Sequence, residues 1–433
     1  MMLAWLGFAT VATFVTLIMT KRLSAVVALI IVPIVFGLVA GAGGGIGGMM
    51  LEGIVQVAPI ALMLSFAILY FGIMMDAGLF DPLVNAILRR VGRDPLRIAI
   101  GTALMSAFVS IDGDGTTTAL IVITALLPVY RAVGMNVLIL ATLLGLTNSL
   151  MNFVPWGGPA ARAAAALEVD LVSDLFLPLV PAVAVGLAAT FALAWYLGMG
   201  ERKRLGFAAG SAPFEPVMHE TRDKPERRPR LFWFNLVLTV LLVVGMVTGL
   251  APLPALMMGG FAIAVTVNYP SLQEQRERLG SHAENLMMVV ALIFAAGSFT
   301  GIVEGTGMLA AMGDGLVNIV PPSMGPYMAP ITAVLSLPLT FLMSNDAYYF
   351  GIVPVLAETA ANYGVPAEAI GRASLLGQPV HALSPLLAPI YLACGLLGVE
   401  VGDAQRFALK YAILASLIVI VAALGVGAIP FRV

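Results

Sequence analysis

The chain has 433 residues, 60% of them hydrophobic and only 11% charged, with a formal net charge of −2. An ordinary soluble domain carries roughly 25% charged residues, so this is expected to be an all-α integral membrane protein whose surroundings are the lipid bilayer. The balanced charge offers no basic face for nucleic acid, the single Cys394 excludes an internal disulfide or thiolate zinc cluster, and three His are too few for a dense metal cluster.

The first apolar run, Met2 to Thr20, lacks a basic leader and a small-residue cleavage site and is followed by Lys21-Arg22, so it is expected to be a span and not a cleaved signal. Further runs of spanning length lie at about 24–41, 57–75, 135–151, 175–199, 231–250, 252–268, 284–303, 371–398 and 406–429, which makes about ten crossings. Gly41 to Gly48 is a flexible turn, since neither a strand nor a Lys-Ser/Thr follows it as in a phosphate loop. Asp76 to Arg93 carries Leu79, Phe80, Leu83, Val84, Ile87, Leu88 and Val91 on one flank and is expected to be an amphipathic interfacial helix joining a moving part to a fixed one.

The stretch Asp112-Gly113-Asp114-Gly115-Thr116-Thr117-Thr118 interrupts two apolar arms. As helices, Ile98 to Ile111 spans about 21 Å and Ala119 to Tyr130 about 18 Å, against a hydrocarbon core about 30 Å thick. The pair is therefore expected to be a re-entrant hairpin (98–131) whose tip lies at membrane depth, where ionisable residues mark function. Asp114 or one of the threonines suits a helix N-cap, but a cap needs neither Asp112 nor two glycines.

Residues 201–230, rich in Pro and charge, separate two halves that match at an offset of about 229 residues: Gly72-Ile73 and Gly78-Leu79-Phe80 recur as Gly301-Ile302 and Gly307-Met308-Leu309. Pro155 falls opposite Pro385, and the Asp114 region opposite Ser344-Asn345-Asp346, at the tip of a second hairpin (327–360). Lys21, Arg22, Arg89, Arg90, Arg93, Arg97, Arg131 and the basic residues of 201–230 then share one side, which the positive-inside rule makes the cytoplasm. Both termini are expected outside, with 1–200 and 231–433 as repeats of inverted topology around a cytoplasmic linker, and substrate at the midplane on broken helices. The broken spans carry Asn148, Asn152, Pro155, Trp156, Gly157, Gly158, Pro159 and Arg162 in the first half, and Gln378, Pro379, His381, Ser384, Pro385 and Pro389 in the second.

Thr20-Lys21-Arg22-Leu23-Ser24, the run Ile68 to Pro82, the 112–118 tip, Pro155-Trp156-Gly157-Gly158-Pro159 with Arg162, and Glu201-Arg202-Lys203-Arg204-Leu205-Gly206 resemble the citrate-metal complex:proton symporter family over nearly the whole chain. The resemblance implies the wider ion transporter superfamily, whose divalent anion:sodium symporters are homodimers with a scaffold domain, two opposed hairpins and an elevator-like transport domain. It also implies a bacterial plasma-membrane protein. In those relatives the hairpin tips read Ser-Asn-Thr. Here Ser344-Asn345 is followed by Asp346, and the first tip departs entirely.

The expected function is secondary active uptake of citrate complexed with a divalent metal of the Mg²⁺ or Ca²⁺ type, in symport with protons. The metal is part of the substrate, and no resident cofactor is expected. Three acidic tip residues would repel a free tricarboxylate and suit a hard cation, so Asp112, Asp114 and Asp346 are the candidate metal ligands. Arg162 can hold a carboxylate in a bidentate fork, or reach outward toward Glu168 and Asp170. Thr116, Thr117, Thr118, Asn148, Asn152, Gly157, Gly158, Ser344, Asn345, His381 and Ser384 complete the candidate substrate site. Coupled protons are assigned to the three Asp residues, where proton and metal compete for the same oxygens, with His381 as the other carrier. Competing readings are a sodium/proton antiporter or sodium-coupled carboxylate transporter, and, more remotely, an intramembrane hydrolase built on His381 and Ser384.

Overall fold

The computed structural model describes residues 2–206, 225–317 and 320–433, and among these it is helical without a strand. Most of the expected linker, 207–224, lies outside the described residues. The first half comprises α1 (Met2–Met19), α2 (Ala25–Val39), α3 (Ile46–Asp76), α4 (Asp81–Val91), α5 (Pro95–Val109), α6 (Gly115–Val133), α7 (Val137–Met151), α8 (Gly158–Leu167) and α9 (Leu177–Arg204). The second comprises α10 (Phe232–Val247), α11 (Leu253–Asn268), α12 (Leu272–Ser281), α13 (Ala283–Gly305), α14 (Met308–Val317), α15 (Met328–Leu342), α16 (Val353–Ala361), α17 (Ala367–Leu375), α18 (Gln378–His381), α19 (Ala388–Leu397) and α20 (Val401–Gly425). Among the described residues, nine helical stretches are long and apolar enough to cross a membrane, so the protein is a multi-pass membrane protein.

Several expected runs come out differently: those at 24–41, 135–151 and 252–268 form α2, α7 and α11, helices of 15, 15 and 16 residues that are not among these nine. The arms around the first tip are longer than their apolar cores: Pro95–Asp112 has 18 residues and Gly115–Val133 has 19, so each suffices to cross by length and composition. Capping is the reason. Asp94 accepts the Leu96 amide at 3.0 Å ahead of Pro95, and Asp114 accepts the Thr116 and Thr117 amides at 3.0 and 3.1 Å, drawing the polar threonines into helix. The run at 371–398, by contrast, is split into α17, α18 and α19.

The interior of the first half is fastened to that of the second where α3 crosses α13. A Cβ on Gly53 would stand 2.9 Å from the Gly301 Cα, and one on Gly297 would stand 2.6 Å from the Gly53 carbonyl oxygen. Only hydrogen at these positions lets the two backbones touch, as in small-residue crossings of membrane helices. Further along the same pair, the His282 ring covers Gly72, and its Nε2 lies 3.0 Å from Asp76 Oδ2.

The helices on either side of the 112–118 tip are rooted on one turn of α9. Arg202 pairs with Asp94, donating from Nε at 2.7 Å and also from Nη2; Glu201 Oε2 accepts the Asn136 amide at 2.9 Å; and Arg204 donates to the Gly134 carbonyl at 2.6 Å. Burial pushes the Asp94 carboxyl pKa up, but the Arg202 hydrogen bond, the Leu96 amide and the charges of Arg202 and Arg97 outweigh it and hold the group below its ordinary 3.8. A depressed carboxylate adds stability that is present above 3.8 and lost as pH falls through the lowered folded value. Asp94→Ala should therefore cost about 2 kcal/mol at neutral pH, from the lost cap and charged hydrogen bonds. Thermal unfolding in detergent from pH 7 to 3 checks this: the gap between wild type and variant should hold down to about pH 4 and narrow below 3.8, and a gap that does not narrow there would be contrary to the assignment.

Candidate functional site

The chain breaks at the end of α7, and the break determines where the site forms. Gly157 has no room for a side chain, because a Cβ there would lie 2.9 Å from the Val154 carbonyl oxygen. Trp156 donates from Nε1 to the Ile111 carbonyl at 2.5 Å and stacks on Phe71, with ring centroids 5.0 Å apart, so the break is docked against the first tip. Gly113 takes the left-handed conformation (φ +78°) against Trp156, which turns the chain into α6.

A cavity of about 170 Å³ opens beside this junction. Its polar lining includes Asn148, Asn152, Arg162, Asn345, Gln378 and His381, and its backbone lining includes Gly113, Gly115 and Gly158. The starts of α6, α8 and α19 border it, and so does the end of α7. Helix starts carry partial positive charge and unpaired amides, and helix ends the reverse. The cavity thus holds one wall suited to an anion and another suited to a cation.

Arg162 sits on that first wall. Its Nε donates to Asp346 Oδ1 at 2.7 Å and its Nη1 to the Gly158 carbonyl at 3.1 Å. The alternative in which it reaches out to Glu168 and Asp170 is thereby overturned: α8 directs the side chain inward, where the second tip supplies a carboxylate. The pair links the two halves of the chain.

The remaining candidates divide into those at the cavity and those with local work. Asn148, Asn152, Gly158, Arg162, Asn345 and His381 line it. Asp346 touches it through Arg162, and Gly157 shapes the break. Asp114 is the N-cap of α6, also accepting the Thr117 hydroxyl, and Asp112 Oδ1 accepts the Asp114 amide at 3.0 Å. Thr116 is exposed, and Thr118 is buried with a hydroxyl that has no partner among the described residues; Thr117 borders a second cavity of about 390 Å³ together with Asp76, Asp81 and Arg227. Ser344 Oγ accepts the Ala347 amide at 3.2 Å at the start of the π-helical stretch Ala347–Ile352. Among the described residues no group of three or more His, Cys, Asp or Glu is gathered to hold a metal.

Ser384 Oγ donates to the Phe341 carbonyl at 2.8 Å, while His381 Nδ1 is 2.5 Å from the Thr340 carbonyl. Hydroxyl and imidazole are turned to separate backbone acceptors, so the arrangement is not a nucleophile and its base. Gln378 is a cavity residue that the sequence reading left among the helix breakers. Its Nε2 donates to the Tyr349 hydroxyl at 2.9 Å and to Asn345 Oδ1 at 3.3 Å, which orients the second tip. Its place three residues before His381, on a stretch otherwise apolar, is the signal in the sequence.

A family model described as citrate transporter matches residues 14–377. Among curated proteins, the chain is 51% identical over 434 residues to a "Citrate transporter" of Bacillus subtilis (strain 168), covering 99% of this chain and 100% of the relative. It is 48% identical to a "Mg(2+)/citrate complex secondary transporter" of the same organism, covering 100% of both. Solved structures similar in fold are the MtrF protein of Neisseria gonorrhoeae (TM-score 0.61, 14% identity, 88% of this chain and 83% of that one) and the YdaH transporter of Alcanivorax borkumensis (TM-score 0.55, 16% identity, 87% of each).

Proposed function

The chain belongs to the citrate transporter family, whose members are transporters and not enzymes, and from that premise we propose that it takes up citrate complexed with a divalent metal of the Mg²⁺ or Ca²⁺ type, in symport with protons. The observation that carries the proposal is Arg162, held by Asp346 at a cavity whose walls offer helix starts on one side and neutral oxygen and nitrogen acceptors on the other. A lone cation would need no guanidinium there, which favours this reading over sodium/proton antiport. A citrate holding one divalent ion is about singly negative and presents both an anionic and a cationic end.

The transport cycle we propose is of the elevator type, in a homodimer of the bacterial plasma membrane with both termini outside, built on inverted repeats. Element order supports the repeats: α5 and α6 correspond to α15 and α16, α7 to α17 with α18, α8 to α19, and α9 to α20. So does a pair of contacts. Moving one partner forward and the other back by the 229-residue offset converts the Gly53–Gly301 approach into the His282–Gly72 approach. Two re-entrant hairpins, 98–131 from the cytoplasm and 327–360 from outside, would then bring their tips to the midplane.

The substrate is tested with purified protein in liposomes and labelled citrate, with Mg²⁺, with Ca²⁺, or with excess chelator. Uptake should rise about tenfold or more with at least one metal, the increment expected when a site loses an essential charged partner. Equal uptake in chelator would falsify the metal-complex reading.

A further inference from the structure

We propose that the cation end of the substrate is held by three neutral acceptors, Asn148 Oδ1, Asn152 Oδ1 and His381 Nε2, and not by a cluster of carboxylates. The inference rests on the reading of the substrate as a metal complex and assigns residues to its metal end.

The imidazole fixes its own role. The Thr340 carbonyl can only accept, so Nδ1, 2.5 Å away, carries the proton, and in the neutral ring Nε2 is left as a lone pair. His381 is 2% exposed, lines the cavity, and its Nε2 has no hydrogen-bond partner among the described residues. A metal-binding imidazole is characteristically oriented by a hydrogen bond from its other nitrogen to a carbonyl.

Asn148 and Asn152 stand four residues apart, on one face of the final turn of α7 and its cap. Each Oδ1 is buried without a hydrogen-bond partner among the described residues, and both residues line the same cavity as His381. The Asn148 amide nitrogen sits against Gly115, the first residue of α6. Leaving a buried acceptor unpaired costs about 1–3 kcal/mol. Free citrate would bring carboxylates, which only accept, and one hydroxyl donor, too few donors for three unpartnered acceptors. A hard divalent ion takes the two carboxamide oxygens as direct ligands, and a water it retains can donate to the imidazole nitrogen. The end of α7 adds the negative pole of its dipole in the same direction.

Two of the three tip carboxylates are otherwise engaged. Asp114 is spent on the α6 amides and the Thr117 hydroxyl, and Asp346 on Arg162. Neutral ligands also leave the ion loosely enough held to be released on the other side, which a transporter requires of every substrate.

The test titrates Mg²⁺ at fixed citrate and follows labelled citrate uptake into proteoliposomes for wild type, Asn148→Ala, Asn152→Ala and Asn152→Asp. The alanine variants should need about tenfold more Mg²⁺ for half-maximal uptake, the scale of losing a group that supports a metal. Asn152→Asp, nearly the same shape with a charge added, should need less Mg²⁺ and turn over more slowly, because the ion is held too tightly. An unchanged Mg²⁺ requirement in the alanine variants, or a raised one in Asn152→Asp, overturns the proposal. For a variant that does not transport, the Mg²⁺-citrate-dependent rise in unfolding temperature of the purified protein decides. Its loss with the ligand-free temperature preserved supports the assignment, and its retention overturns it. If an alanine variant fails to fold, the direction of the Asn152→Asp shift decides. Should wild type itself take up citrate equally in chelator, the metal-complex reading fails, and this inference fails with it.

Discussion

Arg162→Gln should lower citrate uptake by about 100-fold or more, the effect of roughly 2.7 kcal/mol in binding. The guanidinium and the Asp346 carboxylate are each about one-fifth exposed, 2.7 Å apart and 184 residues apart in sequence. Removing the cation leaves Asp346 facing an anionic substrate, so binding loses an attraction and gains a repulsion. Deleting one partner of such a half-buried pair also costs about 2 kcal/mol of stability, because a charged hydrogen bond is lost and the other charge is left unpaired. The double variant Arg162→Gln with Asp346→Asn separates these effects: it should recover much of the unfolding temperature and none of the uptake. Arg162→Lys keeps the charge but loses the fork, and should fall between. If Arg162→Gln retained uptake within about threefold of wild type, the cavity would not be the substrate site.

The second large effect is expected at Asp112. Of the three tip carboxylates, Asp114 is bound to the start of α6 and Asp346 to Arg162, whereas Asp112 ends the turn Ser110–Asp112 and accepts the Asp114 amide. Asparagine can accept that same amide through its own Oδ1, so Asp112→Asn preserves the turn while removing the capacity to exchange a proton. Uptake driven by a pH gradient should fall to the level seen without a gradient, while exchange of internal for external citrate continues. Comparing the two in proteoliposomes checks this. If Asp112→Asn kept gradient-driven uptake and His381→Gln alone lost it, the coupled proton would travel on the imidazole.

Much of the architecture was legible because membrane insertion imposes strong local rules. Apolar run lengths located six of the nine stretches long enough to span, the other three being arms of the expected hairpins; the prolines and glycines of 155–159 located the break after α7, and the amphipathic flank within 76–93 located α4. Helix ends around the first tip were misjudged because capping by Asp94 and Asp114 outweighed the polarity of the residues it drew in. At the site, the sequence identified Arg162, Asn148, Asn152, Asn345 and His381, but not their pairing. The Arg162–Asp346 contact joins residues from different halves, and no local pattern encodes it. Nor could composition reveal that the Thr340 carbonyl fixes one tautomer of His381, or that Gln378 orients Asn345. Each depends on which backbone groups a broken helix leaves beside it.

The turn Glu201–Arg204 sets how the first tip can move. Asp94, ahead of α5, and Gly134 and Asn136, beyond α6, are all fastened to that one turn. Hydrogen bonds to charged groups contribute about 1.5–3 kcal/mol each, so working the root loose would mean breaking several together, many times the thermal energy of about 0.6 kcal/mol. The helix pair is therefore a stiff lever without a hinge at its base and cannot serve as a flap. Any displacement of its tip with respect to α3 and α13 would have to carry α9 along, with Arg202 and Arg204 acting as bolts at the base of the pair.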